Sequence, residues 1–264
     1  MADQSVNAYF IATGPDTYAP TEHSGGAWRD DELHLAPVAG LVVHHLERWR
    51  QEHADATLQF SRFSLEVLGQ IARQPITLRS EVIRPGRTIE LVETTAEIAG
   101  RVTIRARAWL LQASDTGRVA GAAFEPMPEP WDMPLRDTLN TEWRGGFIRS
   151  LLGRQRGEVE PGRGRVWLTS EYPLVAGEPS TPLAHFTRLL DSANGIAVRQ
   201  SPTEWMFPNV DWTLHLFRAP VGEWVGLDTR VSFGPTGLGL TESVIHDVSG
   251  PVGTLSQSLT VREL

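Results

Sequence analysis

His34-Leu35-Ala36-Pro37-Val38-Ala39-Gly40-Leu41-Val42-Val43-His44-His45-Leu46-Glu47-Arg48-Trp49 is the stretch whose reading decides the fold. Leu41, Val42, His45, Leu46 and Trp49 recur at helical spacing, and Pro37 sits where a first helical turn tolerates proline. The spacing predicts a mostly buried helix over residues 37–52. Upstream, residues 9–28 read as strand and turn, punctuated by Gly14-Pro15 and Gly25-Gly26. Downstream come strand-like runs at 58–68, 76–83, 88–98 and 102–111, most of them alternating apolar and polar residues, with turns at Pro85-Gly86 and Ala99-Gly100. One long helix followed by an antiparallel meander is the resulting order.

The second half repeats that order. Residues 143–148 and 165–171 read as strands. Residues 180–198 read as a helix with Ser180 as N-cap, Pro182 in the first turn, and an apolar stripe of Leu183, Phe186, Leu189, Leu190 and Ala193. Strand runs follow at 210–216, 223–233, 237–247 and 252–261. An offset of 150 residues lays Gly100 on Gly250, Val102 on Val252 and Arg107 on Gln257. Between the halves, residues 112–140 carry Pro126, Pro128, Pro130 and Pro134 with several small residues, the composition of a connecting segment. The expected class is α+β: a double hotdog, two antiparallel sheets each wrapped around a long central helix. Its expected parts are an N-terminal domain over 1–112, a linker over 113–140 and a C-terminal domain over 141–264. Two unrelated α+β domains are the competing reading.

Composition narrows the chemistry. The 264 residues are 41% hydrophobic and 21% charged, a globular balance with enough apolar mass for a core. No apolar run is long enough to span a bilayer, and the first residues lack the basic and apolar regions of a signal peptide, so a cytoplasmic location without a membrane span is expected. Cysteine is absent, which removes thiolate nucleophiles and cysteine-ligated metals. Lysine is also absent, which removes Schiff-base chemistry through its amine. A net charge of −8 argues against nucleic acid as a partner, while local arginines can still hold the phosphates of an anionic ligand.

Specific motifs lie in the C-terminal stretch. Asp211 opens an Asp-x-x-x-x-x-x-Arg-x-Pro strand ending at Arg218 and Pro220, Glu223-Trp224 starts the next strand, and Ser256-Gln257 lies in the last. With Gly25-Gly26 and Arg84-Pro85-Gly86-Arg87, this set resembles bacterial acyl-CoA thioesterase II and its thioesterase-superfamily relatives. The resemblance implies an acyl-CoA substrate, hydrolysis to acid and free CoA, a role in lipid metabolism, and a water held by an Asp, a Ser or Thr, and a Gln. Aligned on Trp224, those roles fall on Asp211, Ser232 and Gln257. It further implies that the turn into the first helix faces the site, making His34 and Gly40 candidate substrate-binding residues beside backbone N–H donors for the oxyanion. Neither a cofactor nor a metal is implied, since a thioester needs only a placed water, an acceptor and oxyanion donors.

Each of these residues has a plainer reading. Asp211 serves equally as a strand-edge carboxylate paired with Arg218 or Arg230, and Ser232 as an ordinary strand serine. Gln257 shares a face with Leu255 and Leu259 by alternation, which favours an inward, partnered amide over a solvated one. His34 could be solvated, and Gly40 could serve helix packing. Arg154, Arg156, Arg163 and Arg165 form a basic cluster able to meet CoA phosphates or simply a solvated loop. A hotdog protein that binds acyl-CoA without turnover is the alternative function. A hotdog dehydratase is a third, disfavoured because its Asp-x-x-x-x-His loop is not found. Further association through sheet edges into a homo-oligomer is left open.

Overall fold

The computed structural model describes residues 6–53, 57–136, 143–157 and 160–264. In chain order the elements are β1 (Phe10–Gly14), β2 (Thr17–Pro20), α1 (Leu35–His53), β3 (Leu58–Val67), β4 (Ile76–Arg84), β5 (Ile89–Ile98) and β6 (Arg101–Gln112). The second half holds β7 (Leu135–Arg136), α2 (Gly146–Arg149), β8 (Leu152–Gln155), β9 (Arg163–Thr169), α3 (Pro182–Leu190) and α4 (Ala193–Ile196). It ends with β10 (Trp205–Met206), β11 (Asp211–Leu216), β12 (Val225–Phe233), β13 (Leu238–Asp247), β14 (Gly250–Thr260) and β15 (Arg262–Glu263).

α1 begins two residues before the expected start and runs to His53, with Pro37 in its first turn where no internal N–H partner is lost. Its first twelve residues are buried, so the apolar stripe is part of a helix enclosed along most of its length. The meander follows as expected, β3 through β6. Gly100 and Gly250 both adopt positive φ, +75° and +115°, and each leads into the last long strand of its half, β6 and β14. That shared turn is the structural counterpart of the 150-residue offset.

Three expectations change. First, one 13-stranded sheet replaces two separate sheets, in the order β1-β2-β4-β5-β6-β3-β11-β14-β13-β12-β9-β8-β7. β3 pairs antiparallel with β11 across the junction of the halves, Trp212 opposite Leu65 and Leu214 opposite Phe63. This pairing hides two strand edges that would otherwise expose unpaired backbone groups. Second, the second helix is not one long rod. α3 stops at Leu190, Asp191 caps its C-terminus, and α4 restarts at Ala193. Its N-cap is Thr181 rather than Ser180, the hydroxyl accepting from the Ala184 N–H at 3.1 Å. Asn194-Gly195 supplies weak helix formers just beyond the break. Third, residues 143–148 form a loop and the short turn α2 instead of a strand.

That loop is locked by glycine. Gly145 has φ +111° and lies so close to Gly26 that a Cβ would stand 2.8 Å from the Gly26 carbonyl carbon. The interlocked backbones fix Trp143 against the first half of the chain. The connecting segment is held too, as far as residue 136; residues 137–140 lie outside the described ones. Met127 and Met133 are buried against Trp167, whose indole N–H donates to the Pro128 carbonyl at 2.8 Å. α1 packs on α3 and against β4 and β5, and one continuous core joins both halves.

Candidate active site

A carboxylate inside an apolar helix end is the most conspicuous polar group in this core. Asp191 follows Leu189 and Leu190 and is 4% exposed. Its Oδ1 accepts two hydrogen bonds, from Gln257 Nε2 at 2.8 Å and from Asn209 Nδ2 at 2.8 Å. Burial pushes its carboxyl up to about 7, against the lowering effect of those two amide donors. Oδ2 faces His34 Nδ1 at 3.8 Å. That contact is not an ion pair. His34 Nδ1 accepts from the Ala36 N–H at 3.1 Å, which places the ring proton on Nε2, and burial drives the imidazole down to about 3. A neutral His34 therefore leaves the Asp191 carboxyl high.

Different elements deliver these groups. Asp191 sits at the α3–α4 break, Gln257 on β14, Asn209 just before β11, and His34 just before α1. The cluster borders a cavity of about 150 Å³ lined by Asp191, Ser192, Asn209, His34 and Leu35 together with Trp28, Leu33, Val67, Ile71, Trp143 and Ile148. The Ser192 Oγ and the Gln257 Oε1 are buried without a hydrogen-bond partner among the described residues. A polar corner beside an apolar chamber suits a reaction between a water molecule and an apolar acyl compound.

Of the residues expected from sequence, the structure brings Gln257 and His34 to this corner and leaves the other three elsewhere. Asp211 lies at the start of β11, where Oδ1 accepts from the Ser258 N–H at 2.7 Å instead of meeting the Gln257 amide. It does not pair with Arg218, which makes a two-pronged ion pair with Asp247 at 2.5 and 2.6 Å. Ser232 is exposed, because Thr229 and Val231 take the inner face of β12 and the two-residue period sends Ser232 outward. Gly40 lies at a helix crossing: a Cβ there would stand 2.8 Å from the Arg188 Cα, so its closeness serves α1–α3 packing and not a ligand. Three of the four arginines in the basic cluster meet protein partners. Arg154 donates to the Met133 carbonyl, Arg156 to the Asp132 carbonyl, and Arg165 pairs with Asp228.

Asp191 and Asn209 were missed by the sequence reading. The signal for Asp191 was present: a lone carboxylate within Leu189-Leu190-Asp191-Ser192-Ala193, an apolar stretch where an unpartnered charge is costly. No comparable signal marks Asn209. No group of three or more His, Cys, Asp or Glu able to hold a metal ion occurs among the described residues. None of the helices among them is long and apolar enough to cross a membrane.

Comparison with known proteins agrees with this architecture. A protein from Novosphingobium aromaticivorans shares 22% identity over 96% of this chain and 98% of its own, with a TM-score of 0.70. A hot dog fold protein from Alicyclobacillus acidocaldarius shares 13% over 97% of each chain, at 0.74. An acyl-CoA thioesterase II from Mycobacterium marinum shares 18% over 97% and 96%, at 0.63. At these identities the likeness concerns the fold alone, the hotdog fold. No curated protein matches the chain. The family models go further: residues 25–111 match the acyl-CoA thioesterase N-terminal domain and residues 102–261 the acyl-CoA thioesterase C-terminal domain. With both halves matched in order, the chain belongs to the acyl-CoA thioesterase family and is a thioester hydrolase.

Proposed function

We propose that the chain hydrolyses an acyl-CoA with Asp191 as general base and with Gln257 and Asn209 holding that base in place. The observation that carries this reading is a buried carboxylate, Asp191, with no arginine partner among the described residues, one oxygen saturated by two amide donors and a carboxyl raised to about 7. A base whose acidity lies near the working pH is the most effective proton acceptor. Water oxygen bonds to the thioester carbonyl carbon while its proton passes to Asp191 Oδ2. The tetrahedral oxyanion then collapses, the carbon–sulfur bond breaks, and the Asp191 proton goes to the departing CoA sulfur. Acid and free CoA result, and the carboxylate is restored.

The other parts follow from their placement. Gln257 Oε1 is an acceptor without a partner among the described residues, beside Asp191, and suits the second proton of the attacking water. Ser192 supplies a hydroxyl at the same corner, the residue type expected at Ser232. Leu35 opens α1 and lines the cavity; its N–H is one of those a helix leaves unpaired, suited to a developing oxyanion. The repeated helix-and-meander order supports the finer reading of two fused hotdog units, with the division near residues 113–140, after β6.

The test is thiol release from acyl-CoAs by paired variants. Asp191→Asn should lower kcat by about 10²- to 10⁴-fold, the usual contribution of a general base. Asp211→Asn should stay within about threefold of the parent, as expected for a group that acts on neither water nor substrate. The reverse ranking would return the role to Asp211.

A further inference from the structure

We infer that the cavity beside Asp191 accepts a short or compact acyl group, of about six carbons or one aromatic ring, and that Trp28 and Trp143 set this limit. The inference rests on the reading of that cavity as the acyl site and adds the size class of its substrate.

Volume is the first argument. The cavity measures about 150 Å³. An apolar chamber of about that size holds a benzene-sized guest, which is about six carbons. A palmitoyl chain exceeds it several times over unless a wall moves. The wall's rigidity is the second argument. Trp28 and Trp143 meet edge to face, ring centroids 4.9 Å apart at 90°. Phe207 stands perpendicular to both, at 5.3 and 5.7 Å. The Trp143 indole N–H also donates to the Gly195 carbonyl at 3.0 Å, which ties its rotamer to α4 and so to the helix break that carries Asp191. Packed aromatic edges with a partly buried hydrogen bond do not swing aside without losing both kinds of contact. The backbone behind Trp143 is equally fixed, since Gly145 locks against Gly26. Small residues at those two indole positions would leave the chamber open at this wall.

Two measurements on the full chain test the assignment. The first is kcat/KM for thiol release from acetyl-, butyryl-, hexanoyl-, benzoyl- and palmitoyl-CoA. The second is calorimetric binding of the matching non-hydrolysable thioether analogues. Hexanoyl or benzoyl should be best, with palmitoyl weaker by on the order of tenfold or more in both series. Trp28→Leu, at a half-buried position, and Trp143→Leu should each shift the optimum toward longer chains. Shift in either one suffices if the other fails to fold. Palmitoyl equal to or better than hexanoyl in the parent protein overturns the size limit while leaving hydrolysis standing. A short-chain preference in binding with no thiol released from any ester leaves the size limit standing and sinks the hydrolytic role of Asp191. Binding of no analogue overturns both.

Discussion

Asp191 carries opposed demands within one side chain. As the proposed proton acceptor it has to ionise, and as a residue 4% exposed it is penalised for doing so. Burial raises its carboxyl to about 7 while the Gln257 and Asn209 amides oppose the rise. The rate of thiol release should therefore climb with pH up to an apparent midpoint near 7, falling about a hundredfold two pH units below it. A pH profile of kcat/KM checks this; a midpoint near the ordinary carboxyl value would remove Asp191 from the role. The same shift bears on stability. A carboxyl raised in the folded state binds its proton more tightly there than in the unfolded chain. Its favourable contribution is complete below about pH 4 and is lost as pH rises through about 7. Above pH 7 the fold thus carries the anion at a cost on the order of a few kcal/mol. Asp191→Asn should be more resistant to denaturant than the parent at pH 8 and close to it at pH 4, even as it loses activity. Urea midpoints at the two pH values give the comparison, and equal differences at both would contradict it.

Elements matter through where they stop and where they touch. The break between α3 and α4 turns Asp191 inward, and a continuous helix over the same residues would carry Ser192 and Asn194 to different faces. α1 and α3 approach so closely that Gly40 leaves no room for a side chain against Arg188. Arg188 itself is 2% exposed, its guanidinium donating to the Tyr172 and Ser170 carbonyls at 2.6 and 2.9 Å and lying over the Tyr9 ring. Gly40→Ala should then destabilise the fold by about 1–3 kcal/mol through overpacking, with a further fall in kcat because α3 ends on the proposed base, Asp191. A thermal melt and a turnover assay on this variant would show both; an unchanged melting temperature would mean that the helices separate freely.

At the scale of the molecule, the β3–β11 pair makes one sheet of two similar halves. Phe63, Leu65, Trp212 and Leu214 are each at most 2% exposed at that joint, and the core runs through it. The two halves should consequently unfold together. Calorimetric and van't Hoff enthalpies should agree, and Leu214→Ala should cost about 2–5 kcal/mol without splitting the transition. Two resolved transitions would show that the halves are energetically separate. The candidate site belongs to the whole in the same way, since His34 comes from the first half and Asp191, Asn209 and Gln257 from the second.

Sequence by itself determined the parts with local causes. Period-two alternation located the meander strands within a residue or two, helical spacing and Pro37 located α1, and alternation alone put Gln257 on the apolar face of β14. The glycines at 100 and 250 marked the turns because positive φ is a local need. What only the tertiary structure decided is which polar groups share one volume. Asp191 and Asp211 are both carboxylates beside apolar residues, and nothing within either segment says which faces the Gln257 amide. One strand residue's shift in register, or one break in a helix, exchanges inside for outside. Sixty-six residues of chain separate Asp191 from Gln257, and their 2.8 Å contact exists only because a helix end and a distant strand pack on the same side of one sheet.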